Sequence, residues 1–140
     1  MNVLEQMRTL ANATVTRKKP NREEDNLQIA CRHWFDAQYP QLAMLLHHSP
    51  NEGLLPRTAR DGAKRKAMGV RAGFPDFILL IPSHGYHYLC VELKTATGRQ
   101  STNQKAYEKA VTAVGGKYVI CRSLDEFMKV ITEYLKSETK

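Results

Sequence analysis

Asp76, Glu92 and Lys94 are the residues of this chain whose types and spacing could do chemistry. Asp76 ends the string Gly73-Phe74-Pro75-Asp76 at the mouth of an apolar run, and Glu92 and Lys94 belong to Val91-Glu92-Leu93-Lys94. Side chains of an extended strand alternate faces at a rise of ~3.3 Å per residue. Glu92 and Lys94 therefore point to one side, roughly 7 Å apart along the chain, while Leu93 points to the other. Paired carboxylates can hold a hard divalent cation, and an ammonium beside them suits the cleavage of a phosphodiester. Acids and lysines at strand ends are also ordinary solvated surface, and a D…ExK pattern recurs by chance. The setting weighs against that plainer reading. Val91 and Leu93 flank Glu92, and Tyr86-His87-Tyr88-Leu89-Cys90 runs upstream, so charge interrupts what reads as a sheet interior. Unpaired charge is costly there, and a buried acid needs a metal, a partner or a raised pKa.

The elements that must position these groups follow from periodicity. A helix is predicted from Asn21 to about Ala37. Asn21 is its cap, acids crowd its first turn, and Leu27, Ala30, Cys31 and Trp34 form an apolar stripe. Tyr39-Pro40 closes it. Residues 42–48 suit a buried strand, with a helical turn as the alternative, and residues 49–53 read as a turn. Thr58 to Met68 reads as a short basic helix ended by Gly69. Phe77 to Ile81 is an unbroken apolar run that implies a strand buried on both faces. Pro82-Ser83-His84-Gly85 turns the chain back into a strand over 86–94, a hairpin that sets Asp76 beside Glu92. Ser101 caps a helix to about Val114, Gly115-Gly116 ends it, and Lys117 to Cys121 is a strand. Ser123 caps a last helix to about Leu135. The order α-β-(α)-β-β-α-β-α places the chain in the α/β class. Residues 1–20 read as an N-terminal arm with a basic linker, and residues 21–140 as one domain.

Composition narrows the partners. Hydrophobic content of 42% and charged content of 25% are ordinary for a soluble globular protein. No apolar run approaches the ~20 residues of a membrane span, and the N-terminus lacks the basic and apolar regions of a secretory signal. Cys31, Cys90 and Cys121 are odd in number and set in apolar patterns, so they read as reduced core cysteines of a cytoplasmic protein. The net charge of +7 favours polyanions. Between positions 57 and 71 lie Arg57, Arg60, Lys64, Arg65, Lys66 and Arg71 against the single Asp61. Such a run can be a plain solvated face, but here it leads into Asp76, as an approach for a phosphate backbone would.

The motifs in order resemble the VRR-NUC domain of the PD-(D/E)XK nuclease superfamily. The resemblance is carried by Gly69-Val70-Arg71-Ala72-Gly73-Phe74-Pro75-Asp76, then Glu92-Leu93-Lys94, then Gln104-Lys105-Ala106-Tyr107. Pro50-Asn51-Glu52-Gly53 resembles the family's Pro-Asn-Gly-Gly turn, with Glu52 departing from it. The match covers roughly residues 22–135. It implies a restriction-endonuclease-like core, a central mixed four-stranded sheet flanked by helices. It also implies that Asp76 and Glu92 are metal ligands, joined by the backbone carbonyl of Leu93. Lys94 would orient the attacking water and stabilise phosphorane charge. An acid of the first helix would complete the site, Glu24 by its spacing to Leu27-Gln28, with Glu23 beside it. Gln104 would stand near the metal or the scissile phosphate.

Other readings stay open for several of these residues. Glu24 lies three residues after Asn21 and could close a capping box, which does not exclude ligation. Gln104 could be plain surface, and Tyr107 could pack against the sheet. Arg71 could brace the loop before Asp76 or contact DNA. Of His47 and His48, adjacent on an extended segment, one is expected to be buried and hydrogen-bonded and neither catalytic. Oxygen ligands suit Mg²⁺ or Mn²⁺. The resemblance implies an endonuclease that hydrolyses phosphodiesters in DNA, at branched substrates such as four-way (Holliday) junctions, and works as a homodimer. The alternatives are a nuclease of linear duplex DNA and a catalytically silent DNA-binding module. RNA is a further possibility, though the chain lacks the aromatic stacking motifs of common RNA modules.

Overall fold

The computed structural model describes residues 2–4, 22–49 and 58–137. Most of the arm over 1–20, the cap at Asn21, the Pro50–Gly53 turn and Arg57 lie outside the described residues. The described elements are helix α1 (Arg22–Gln38), a 3-10 turn (Pro40–Leu45), strand β1 (Leu46–His47) and helix α2 (Ala59–Met68). Strands β2 (Phe77–Leu79) and β3 (Leu89–Leu93) follow, then helix α3 (Thr102–Ala113), strand β4 (Lys117–Cys121) and helix α4 (Leu124–Leu135).

These strands form one four-stranded sheet in the order β1-β2-β3-β4. The first two pairings are antiparallel and β3 pairs β4 in parallel, so the sheet is mixed, as expected of the fold. Its two faces differ in kind. Phe77, Leu79, Leu89, Val91, Leu93 and Cys121 face the main core with Cys31 and Phe35 of α1 and Phe127, Ile131 and Tyr134 of α4. Alternation along the strands then sends Asp76, Cys90, Glu92 and Tyr118 to the opposite face, which α3 covers. Hydrocarbon holds the first face together, and the second carries the polar groups.

The predicted helix ends hold well. Thr58 Oγ1 accepts from the Asp61 N–H at the start of α2, and Gly69 ends it with φ +109°. Ser101 and Ser123 cap α3 and α4 by accepting from the N–H groups of Gln104 and Glu126. Cys31, Cys90 and Cys121 are free and buried. Burial pushes their thiols up to about 12, so they act as small hydrophobes.

The predicted strand over 42–48 is corrected. Pro40 opens a 3-10 turn through Leu45, and only Leu46 and His47 pair with β2. Proline supplies a helical φ and lacks the N–H that the start of a turn leaves unused, so the apolar run after it winds before it extends. Strands β2 and β3 are also shorter than expected. The Leu80 N–H turns to the Leu45 carbonyl, and the His87 N–H turns to Gly115. The turn between them is set one residue later than read. Ser83 and Tyr86 exchange both backbone hydrogen bonds, with His84 and Gly85 at φ 51° and 80°, the signs of a type I′ hairpin turn.

One close approach joins the loop before Asp76 to α3. Gly73 has φ +85°, and a Cβ there would lie 2.6 Å from the backbone carbon of Asn103. Phe74 meets Tyr107 edge-to-face at 5.6 Å, so Tyr107 contacts this loop as well as lying on the helix that covers the sheet. Replacing Gly73→Ala should cost roughly 1–3 kcal/mol by overpacking alone, before the strain of its left-handed φ. A urea midpoint unchanged by the substitution would contradict this docking.

Candidate active site

Asp76 and Glu92 meet because the β2–β3 register, Phe77 opposite Val91, continues by one residue. Asp76 Oδ2 accepts from the Leu93 N–H at 2.6 Å, which ties its carboxylate to the rim of β3. Behind it, His48 Nδ1 lies 2.7 Å from the Asp76 carbonyl oxygen. His48 is thus the hydrogen-bonded member of the His47–His48 pair, and it holds the backbone that carries the acid. His47 is exposed.

Glu92 is only 2% exposed. Gln104 Nε2 donates to its Oε1 at 2.7 Å, and the Tyr118 hydroxyl donates to its Oε2 at 2.9 Å. Gln104 is itself locked. Its Oε1 accepts from the Ser101 N–H at 2.8 Å while its own N–H bonds the Ser101 hydroxyl, a capping box that aims the amide nitrogen inward. The surface alternative for Gln104 is therefore corrected, since the residue is 2% exposed. Tyr118 escaped the sequence reading. Its only signal was its place in β4, one strand over from Glu92 on the shared face.

The electrostatics follow from burial. Desolvation raises Glu92 most, the neighbouring Asp76 charge raises it further, and the Tyr118 bond and Lys94 charge oppose them, leaving it at about 8. Asp76 is also raised by burial, against the Leu93 N–H bond, its interaction with the neighbouring Glu92 carboxyl, and the charges of His48 and Lys94. Two carboxyls this close cannot both ionise cheaply, so the pair keeps a proton. Lys94 extends β3 past its end, its N–H bonded to the Cys121 carbonyl, on the face of Glu92. The loop that follows is clasped by Arg122, whose Nη1 donates to the carbonyls of Thr95 and Gly98 at 2.7 Å each.

The remaining candidates sit on other elements of the chain. Glu24 is half-buried in the first turn of α1, and Glu23 beside it is exposed. Among the described residues no three His, Cys, Asp or Glu side chains gather closely enough to hold a metal ion, so Glu24 does not join Asp76 and Glu92 in such a group. Arg60, Lys64 and Lys66 are exposed on α2 and Arg65 is half-buried there, while Arg71 is exposed in the loop beyond. No residue of α2 is buried.

The Glu92 shift has a sign that can be checked. A carboxyl whose pKa is raised on folding binds its proton more tightly in the folded state. Its contribution is full below the unfolded pKa and is lost as pH rises through about 8. Metal-free protein should therefore lose stability from about pH 5 to pH 8, by up to about 1.4 kcal/mol per pH unit for one proton. Chemical denaturation across that range should show the slope, and Glu92→Gln should flatten it.

Comparison with known proteins agrees with this fold. The VRR-NUC domain family matches residues 19–125. A solved structure described as "VRR_NUC domain protein" superposes with a TM-score of 0.69 at 30% identity, covering 80% of this chain and 87% of that one. No curated protein matches the chain. Among the described residues no helix is long and apolar enough to cross a membrane. With most of its length matched, and with Asp76, Glu92 and Lys94 gathered on one face of a mixed sheet, the chain belongs to the VRR-NUC domain family and is a nuclease-like, DNA-acting domain.

Proposed function

We propose that the protein is a Mg²⁺- or Mn²⁺-dependent endonuclease that hydrolyses phosphodiesters at branched DNA such as four-way junctions. One observation carries the reading: Glu92, buried in the sheet, faces Asp76 across the strand register. A sheet interior has no structural use for two repelling carboxyls. A divalent cation does fit them. The pair offers hard oxygen donors, and its shared proton is what a cation would displace. The cysteines that zinc would prefer are buried and free elsewhere in the sheet and helices.

In this reading Asp76, Glu92 and the Leu93 carbonyl would hold the cation, and Glu24, which family resemblance adds, does not join them in this structure. Such an ion supplies Lewis-acid charge neutralisation and makes hydroxide available near neutral pH. Lys94 orients the attacking water and stabilises the charge that develops on the phosphoryl oxygens. Water oxygen bonds to phosphorus as the bond to the 3′ oxygen breaks, leaving 5′-phosphate and 3′-hydroxyl ends. Gln104 holds Glu92 in place beneath the phosphate. The basic residues Arg57, Arg60, Lys64, Arg65, Lys66 and Arg71 take the DNA backbone ahead of the site. A homodimer would set two such sites on the two strands of a junction, and light scattering at micromolar concentration returning only monomer mass would argue against it.

One assay separates the readings. The protein is incubated with four-way, flap, single-stranded and linear duplex DNA in Mg²⁺ or Mn²⁺, beside Asp76→Ala and Lys94→Ala. Each substitution should slow cleavage by at least about 100-fold. Cleavage that survives Asp76→Ala would sink the mechanism, and preference for linear duplex would overturn the junction assignment. Binding without cleavage in every metal would leave a silent DNA-binding module. Replacing Arg60, Lys64 and Lys66 together by Ala should weaken binding to all DNA alike. The dependence of log affinity on log salt should flatten by about 0.9 for each phosphate no longer neutralised.

A further inference from the structure

Glu92 is gripped from two sides, and only one grip belongs to the α3 cap. The other comes from β4, where Tyr118 stands opposite Cys90 in the parallel register, on the face that carries Glu92. Its hydroxyl donates to Glu92 Oε2 at 2.9 Å. Tyr118 thus reaches the buried carboxyl from the neighbouring strand, independently of the α3 cap.

A carboxylate held at one oxygen can still swing about its last torsion. Held at both, it is fixed in plane, and its remaining lone pairs keep a constant direction. Gln104 alone leaves that torsion free, and Tyr118 removes it. We propose that Tyr118 is a positioning residue of the active site: its hydroxyl fixes the plane of Glu92 so that the free lone pairs of the carboxylate face Asp76. The inference rests on the reading of Asp76 and Glu92 as the cation-holding pair. Tyr118 acts through Glu92 and touches neither substrate nor cation. Outer partners of ligating carboxylates commonly change metal affinity or activity by about 10–100-fold when removed.

The test uses the whole chain and Mn²⁺ as the probe. Mn²⁺-dependent thermal stabilisation is titrated for the wild type, Tyr118→Phe and Asp76→Ala, and kcat and KM are measured on the best DNA substrate. Phenylalanine keeps the ring and its packing, so the unfolding midpoint in EDTA should stay within a few degrees of wild type. Tyr118→Phe should need about 10-fold more Mn²⁺ for half-maximal stabilisation and lose about 10–100-fold in kcat, with KM for DNA little changed. Tyr118→Phe titrating and turning over like wild type, while Asp76→Ala has lost both responses, would overturn the proposal alone. A lowered midpoint in EDTA with an unchanged Mn²⁺ titration would reduce Tyr118 to a packing residue and overturn it as well. An Asp76→Ala protein that still responds to Mn²⁺ and still cleaves would instead overturn the underlying reading of the site.

Discussion

The buried carboxyl of Glu92 is the constraint around which the rest of this structure is arranged. Ionised and unpaired, such a group costs several kcal/mol in a protein interior. Each hydrogen bond to a charged group returns about 1.5–3 kcal/mol. Two donors, from Gln104 and Tyr118, satisfy its oxygens, yet burial and the Asp76 charge still raise its pKa. Desolvation therefore outweighs the hydrogen bonds, and the site keeps its proton in the absence of a cation. The polar face of the sheet exists to hold this arrangement.

Several local features make sense only as supports for that face. The capping box of α3 satisfies the helix's unused N–H groups, and it also aims Gln104 at Glu92. Gly73 lets the loop before Asp76 lie against Asn103, so the acid at the end of the loop and the amide at the start of the helix share one foundation. His48 holds the Asp76 carbonyl from the end of β1, and Arg122 holds the turn after Lys94 from the end of β4. Every strand of the sheet thus takes part in shaping the site. The opposite face supplies stability, where Phe35, Phe127, Ile131 and Tyr134 close a hydrocarbon core over Leu89, Val91 and Leu93.

How much of this was legible in the sequence depends on the range of the interaction. Asp76, Glu92 and Lys94 could be read because strand alternation and one hairpin, all within twenty residues, bring them to one face. The caps at Ser101 and Ser123 were equally local. The 3-10 turn at Pro40 was not legible, because an apolar run after a proline fits a turn as well as a strand until its partners are known. Tyr118 could not be found either. A tyrosine inside Lys117-Tyr118-Val119-Ile120-Cys121 looks like one more strand residue, and only the parallel register reveals which face its hydroxyl reaches. Gln104 was half legible: the sequence showed the cap, and the structure showed what the cap is aimed at.

The division of labour between the two faces has a consequence for how the domain can change. Substituting a residue of the polar face removes charge repulsion or a hydrogen bond and leaves the hydrocarbon core intact, so function and stability are separable there. In the case of Glu92 they are opposed, because its raised pKa marks a group that would be more comfortable as an amide. In the proposed reading, the cost of keeping this carboxyl in the sheet is offset by a bound cation. The helix α2 has no buried residue of its own. Its Arg60, Lys64 and Lys66 are exposed, and the proposed reading gives them the DNA backbone.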